Sequence, residues 1–477
     1  GLAQALAIGR VEKDEVMRRA RTDPRPARIR RDHPRPALGP AERDVLPQER
    51  QRLAPVLDEL GAQLGGREEA HAERRGLVGG EVGRGTYIKG NGRYPQPQTP
   101  RAFAFGGQRD NGINLSMAVP PLGDGGTYLS RTIKEISEDP ATCGELMDYQ
   151  AHSGLARHRQ AGVDWVARTG VETDIDCLTL TNGTQHGILV SLMALARPGD
   201  TVLVESITYP GIIHIAAQLG VKLAPVEIDD EGIVPDALEE AILEHRPRCA
   251  YVVPTVQNPT TAVMSDKRRQ EVADVIKRHN LLVIEDDIWG FLPADRAPAL
   301  AAYAPEHVVH ATGLSKAMSP GLRIGYIASP PGATDAIRAV ARMSSWMTPP
   351  MMAEIAMRWL ADGTGDEMIK WQRSEAEARM QIAAEALDGF SIRGHKHSYQ
   401  IWLELPDPWR ADVLRDRAAR KGVFFLTGDA FVVGRQPAPH AIRICVGSCR
   451  TRDEVRQGVE TILKPKLNGG ATMPFVP

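Results

Sequence analysis

The sequence predicts an α/β protein with a large domain on a mainly parallel sheet, followed by a smaller α+β domain. Three observations carry this reading. From about residue 113, apolar runs such as "DCLTLTNG", "DTVLVES", "CAYVVPTVQNP", "LLVIEDDI" and "HVVHATGLS" alternate with helical stretches. Strands that alternate with helices build a mostly parallel sheet covered on both faces. Most of the runs end in turns rich in Gly, Ser, Thr, Asn or Pro. Ligand sites in such sheets lie at the carboxyl ends of the strands, where this chain repeatedly places polar residues. Near residue 345 the texture changes: "MMAEIAMRWLADGTGDEMIKWQRSEAEARMQIAAEAL" reads as one long helical stretch. It leads to short strands in "YQIWLELP", "VFFLTG" and "AIRICVG".

In chain order, residues 10 to 75 are dense in Arg and Pro. The text "RRARTDPRPARIRRDHPRPALGP" has almost no large apolar side chains to offset its ordering entropy. Residues 45 to 76 show patchy helical periodicity. "RRGLVGGEVGRGTYIKG", residues 74 to 90, places two β-prone pieces around Gly-rich turns and predicts a small hairpin. "NGRYPQPQTPRAFAFGGQRDNG" reads as linker. The expected division is residues 1–90, a linker at 91–112, a large domain at 113–344, a small domain at 345–467 and a tail at 468–477.

Composition narrows the function classes. The 477 residues carry a formal net charge of -2, so no global field draws the chain to nucleic acid, and DNA binding would need a local basic region. Five cysteines without a CxxC pair argue against a disulfide framework or a zinc site. No run approaches the roughly 18 apolar residues of a membrane span. The expected compartment is the cytoplasm.

Six pieces carry the chemistry: "DYQAHSG" (148–154), "TNGTQHG" (181–187), "SITYPG" (206–211), "VQNPT" (256–260), "IEDDIWG" (284–290) and "SKAMSPGLR" (315–323). Together and in this order they resemble the fold-type I pyridoxal-phosphate enzymes, the aminotransferase class I/II family, over roughly residues 113 to 467. The finer resemblance is to the MocR branch of the GntR regulators, which join a winged helix-turn-helix to an aminotransferase-like domain. "AERRGLVGGEVGRGTYI" looks like the wing end of that DNA-binding domain.

The resemblance implies pyridoxal 5'-phosphate as cofactor and gives each residue a role. Lys316 is the Schiff-base lysine, with small neighbours that leave room for an aldehyde carbon. Asp286 faces the pyridine nitrogen; Asp287 is the competing carboxylate one residue on. Asn258 bonds the ring O3′, and Tyr209 stacks on the ring. Gly183, Thr184 and Gln185 open a helix and form the phosphate cup, since helix N-termini bind anions. Arg323 adds a permanent cation and Ser315 a hydroxyl. Tyr149 resembles the tyrosine that reaches a partner subunit's phosphate, which implies a homodimer with shared sites. Arg443 resembles the clamp for a substrate α-carboxylate; its position between two Ile fits an inward clamp and an exposed edge equally.

The sequence also departs from the family pattern. Trp289 stands where a tyrosine usually donates to O3′. Gly313 stands where a hydroxyl usually meets the phosphate, three residues before Lys316. The Arg/Pro-rich text before the wing breaks helices that a helix-turn-helix needs, so the winged segment is degenerate. A disordered basic arm and an upstream stretch read in a shifted frame both fit that text. The expected function is a MocR/GntR-type transcriptional regulator that binds pyridoxal phosphate and forms an aldimine with amino compounds. The alternative is a working aminotransferase, converting an amino acid to a 2-keto acid, with a vestigial DNA-binding segment. Sequence-specific DNA binding is in question under either.

Overall fold

The computed structural model describes residues 78–81, 85–88, 112–434 and 436–463. The chain divides into two units, Gly1–Pro97 and Gln98–Pro477. In the first, β1 (Val78–Glu81) and β2 (Gly85–Ile88) pair antiparallel, Val78 opposite Ile88 and Glu81 opposite Gly85. This is the hairpin expected from the Gly-rich text. The rest of the expected winged helix-turn-helix, linker residues 91–111 and the tail lie outside the described residues.

The second unit begins with β3 (Ile113–Asn114) and then builds its main sheet. The strands are β4 (Leu178–Thr181), β5 (Thr201–Glu205) and β6 (Lys222–Val226). After a small hairpin, β7 (Ile228–Asp229) with β8 (Gly232–Ile233), come β9 (Cys249–Val252), β10 (Val283–Asp286), β11 (Val308–Gly313) and β12 (Gly325–Ala328). The spatial order is β4-β12-β11-β10-β9-β5-β6, with β12 antiparallel to both neighbours and every other pairing parallel. The strands β4, β5, β9, β10 and β11 therefore end at one edge. Their side chains are almost all buried, as a sheet covered by helices on both faces requires. Local signals close the crossovers. Pro210 starts the helix Pro210–Leu219, which Gly220 stops in the left-handed conformation, and Ser265 caps the helix Asp266–Arg278 by accepting from the Arg268 N–H.

The last part of the chain forms a four-stranded antiparallel sheet. Its strands are β13 (Ile392–Gly394), β14 (Gln400–Glu404), β16 (Leu426–Thr427) and β17 (Ala441–Cys445), in the order β13-β14-β17-β16. Between them, β15 (Val423–Phe424) pairs in parallel with β3. The segment "VFFLTG" thus serves two sheets rather than one strand. The stretch expected as one long helix is two, Pro350–Ala361 and Thr364–Ala386. Gly363 between them takes φ 86°, open to glycine and strained for other residues, and Asp362 accepts from the Thr364 N–H at 2.9 Å.

One core cluster joins Leu115, Val256, Trp289 and Leu292 to apolar residues between 376 and 463. The first described residues of this unit therefore pack with its last described ones. This brings the segment after β3, and Arg443 on β17, to the edge where the main-sheet strands end.

Candidate active site

Asp286 is the last residue of β10, at the carboxyl edge of the sheet. Only 4% exposed, its carboxylate accepts from the Tyr251 hydroxyl at 2.7 Å and from the Ile288 N–H at 3.2 Å. Burial pushes its acid up to about 6, with Asp287 adding to the rise and Tyr251, the Ile288 N–H and Lys316 opposing it. Asp287 accepts from Arg296 at 2.5 Å, with His310 3.8 Å away. Asp286 is within electrostatic reach of Lys316.

Lys316 follows β11 in the turn before Arg323. Its Nζ donates to the Ala118 carbonyl and lies 5.2 Å from the centre of the Trp289 ring. Burial lowers its ammonium to about 8; Cys445 and Asp286 resist that shift, and Arg443 and Arg323 add to it. An amine so placed is neutral far more often near pH 8 than a solvated lysine.

Gly183, Thr184 and Gln185 open the helix Thr184–Leu195 directly after β4. Gly183 takes φ 81°, and a Cβ there would meet Arg323 Nη2 at 2.6 Å. Arg323, itself left-handed at φ 52°, donates from that nitrogen to the Asn182 carbonyl at 2.9 Å. The Thr184 hydroxyl is buried and has no hydrogen-bond partner among the described residues. Gly313 lies against it: a Cβ at 313 would meet Thr184 Oγ1 at 2.6 Å. Ser315 is buried in the same turn as Lys316.

Arg443 faces inward and is 4% exposed, so the exposed-edge reading is set aside. Its guanidinium donates to Asn258 Oδ1 at 2.7 Å and to the Ser116 carbonyl at 2.5 Å, and lies 4.9 Å from the Phe431 ring centre. Tyr209 donates from its hydroxyl to Gln185 Oε1 at 2.8 Å, which ties the turn after β5 to the helix after β4. Trp289 is buried and presents its ring to Lys316. Tyr149 is not brought into this cluster; it is 78% exposed, with its ring centre 6.0 Å from that of Trp346 in an edge-on contact.

Sequence reasoning missed four partners. Tyr251 reads as an ordinary strand residue until its hydroxyl is seen on Asp286. The Ser116 and Ala118 carbonyls are backbone groups, which no side-chain motif announces. Glu205 ends β5 fully buried, accepts from the Val253 N–H and the Thr208 hydroxyl at 2.9 Å each, and so links the turns that carry Asn258 and Tyr209.

The donor set fits pyridoxal phosphate, the cofactor of the family the motifs resemble. An unpartnered buried hydroxyl beside a helix N-terminus and a guanidinium suits a phosphate. A buried carboxylate suits a pyridinium, and an amine with a lowered pKa suits a carbonyl.

Residues 110–462 match the family of class I and II aminotransferases. Among relatives, the chain is 33% identical over 301 residues to the HTH-type transcriptional regulator YdeF of Bacillus subtilis, covering 63% of this chain and 65% of YdeF. It is 28% identical to the HTH-type regulator YdcR of Escherichia coli, over 64% of this chain and 67% of that one. It is 25% identical to aromatic-amino-acid aminotransferase 1 of Thermococcus litoralis, over 63% of this chain and 75% of that one. The chain thus spans under two thirds of the length of YdeF and of a second Bacillus regulator, YdfD, of which it covers 61%. In fold it is similar to the kynurenine aminotransferase of Pyrococcus horikoshii, with a TM-score of 0.68 at 24% identity over 76% of this chain and 93% of that one. No described helix is long and apolar enough to cross a membrane. With the family match running through both sheets and through every strand end that carries the site, the chain belongs to the class I and II aminotransferase family.

Proposed function

We propose that this chain is a pyridoxal-phosphate-binding transcriptional regulator whose aminotransferase-like domain binds amino compounds. The observation that carries the proposal is the convergence of Lys316, Asp286, Asn258 and Arg443 at one sheet edge, in a chain similar to HTH-type regulators. The cofactor, when bound, supplies a carbonyl that condenses with amines and a ring that draws electrons from the attached carbon. The backbone N–H groups at Thr184 and Gln185, the Thr184 and Ser315 hydroxyls and Arg323 would hold its phosphate, while the Gly183 N–H is kept by the Thr181 carbonyl at 2.8 Å. Asp286 would hold the proton on its ring nitrogen, Tyr209 would cover a ring face, and Asn258 with Trp289 would serve O3′. Arg443 takes the carboxylate of an amino-acid ligand in exchange for the Ser116 carbonyl it now holds. Lys316 would turn its amine toward the cofactor's carbonyl, and its Nζ would be the base that accepts the ligand's α-carbon proton.

Tyr149 serves the site of a second copy, so the working form is a homodimer. DNA binding belongs to the N-terminal segment. A working aminotransferase is the second reading, favoured by the intact set of Lys316, Asp286 and Arg443.

The test loads the purified chain with pyridoxal phosphate, adds amino acids singly and follows absorbance near the visible edge. The regulator reading expects a band that Lys316→Ala abolishes, a shift without turnover, and retardation of DNA containing its own promoter. Release of keto acid establishes the aminotransferase instead. Absence of any cofactor band overturns both.

A further inference from the structure

Tyr251 is the third residue of β9 and is fully buried among apolar side chains, where a phenylalanine would pack as well. It pairs with Ile284 across the parallel ladder. Asp286 lies two residues further along β10, hence on the same face and one pleat nearer the sheet edge. The long phenol spans that step, and its hydroxyl donates to Asp286 Oδ2 at 2.7 Å. The other carboxylate oxygen receives the Ile288 N–H at 3.2 Å. Each oxygen of a buried carboxylate is thus given a donor of its own.

We propose that Tyr251 is a positioning residue of the cofactor site, which acts through Asp286 by holding that carboxylate ionised and in a fixed orientation. The inference rests on the cofactor reading above. The groups facing the pair are Lys316 from the turn after β11, Asp287 from the same strand end, Glu205 from β5 and Tyr209 from the turn after β5. Burial and Asp287 favour the neutral acid; the Tyr251 hydroxyl, the Ile288 N–H and Lys316 favour the anion. Removing the hydroxyl leaves Oδ2 buried without a donor and shifts the balance toward the neutral acid. A neutral acid cannot hold a proton on a facing pyridine nitrogen.

The test compares the full chain and its Tyr251→Phe variant, each titrated with pyridoxal phosphate, for affinity and for the pH dependence of the bound absorbance. A lost hydrogen bond to a buried carboxylate predicts affinity weaker by about 10-fold or more, with a displaced spectral midpoint. In an Asp286→Asn background, Tyr251→Phe should add little to either readout, because the two residues act as a unit. Tyr326→Phe, which removes another fully buried sheet phenol, should leave both readouts unchanged. Unchanged affinity and midpoint in Tyr251→Phe, or an undiminished effect in the Asp286→Asn background, would overturn the inference while the cofactor reading stood. A wild type that binds no cofactor overturns that reading and the inference with it. If Tyr251→Phe does not fold, 3-fluorotyrosine at position 251 carries the test. Its resonance must move when cofactor is added, and an unmoved resonance overturns the proposal.

Discussion

At the scale of single residues, Gly313 changes meaning most. In the sequence it is a missing hydroxyl. In the fold it is a necessity, because a Cβ there would lie 2.6 Å from Thr184 Oγ1 and 2.9 Å from the Ile324 carbonyl. The Thr184 hydroxyl occupies the space and has no hydrogen-bond partner among the described residues. Thr184→Val should therefore leave the unfolding temperature of the cofactor-free chain unchanged or raised, and weaken pyridoxal phosphate binding about 10-fold in a titration. Gly313→Ser should lower stability by about 1–3 kcal/mol, because the added atoms have nowhere to go. Lys316, Asp286, Asn258 and Arg323 stand out in the sequence through the resemblance their motifs carry, and the fold places Asp286 at a strand end and the other three in the turns beside it. Tyr251 was not, because a tyrosine in an apolar strand looks like any core residue and its hydroxyl partner sits on a different strand. The Ser116 and Ala118 carbonyls were invisible for a plainer reason: every residue has one.

At the scale of elements, the apolar strands were easy to read and the boundaries were not. β6 carries Lys222 and Pro225, which weaken its strand signal; it survives because it is the edge of the sheet, where a missing N–H costs little. The helix break at Gly363 was masked by helical periodicity running on both sides. "VFFLTG" divides because Val423 and Phe424 find β3, more than 300 residues earlier, a pairing that no local pattern announces. Glu205 is the element-level tie, joining the turns after β5 and β9. Burial pushes its acid up to about 7, so the folded chain holds this proton more tightly than the unfolded chain does. Its contribution to stability is full below the ordinary carboxylate pKa and is lost as pH rises toward about 7. In thermal unfolding, the stability of wild type relative to Glu205→Gln should fall by about 3 kcal/mol between pH 4.5 and pH 8.

At the scale of the whole molecule, the parallel α/β sheet and the antiparallel second sheet followed from alternation and its change near residue 345. The arrangement of the first core residues with the last did not, since contacts of that sequence separation leave no local periodicity. Met147, Tyr149, Met343 and Trp346 are all exposed, with Tyr149 and Trp346 in ring contact. The proposed homodimer places a second copy over them, which would cover this exposed apolar surface. Sedimentation should give a dimer for the wild type. Trp346→Asp should give a monomer with weaker cofactor affinity, because each site then lacks its partner's tyrosine.

The central claim is that Lys316 is the amine that binds pyridoxal phosphate. Borohydride reduction of the loaded chain, followed by proteolysis and mass spectrometry of the peptides, tests it most directly. The account predicts one pyridoxyl-phosphate adduct, on Lys316, and none in Lys316→Ala. An adduct on another lysine, or no adduct in a chain shown to hold the cofactor, would contradict it.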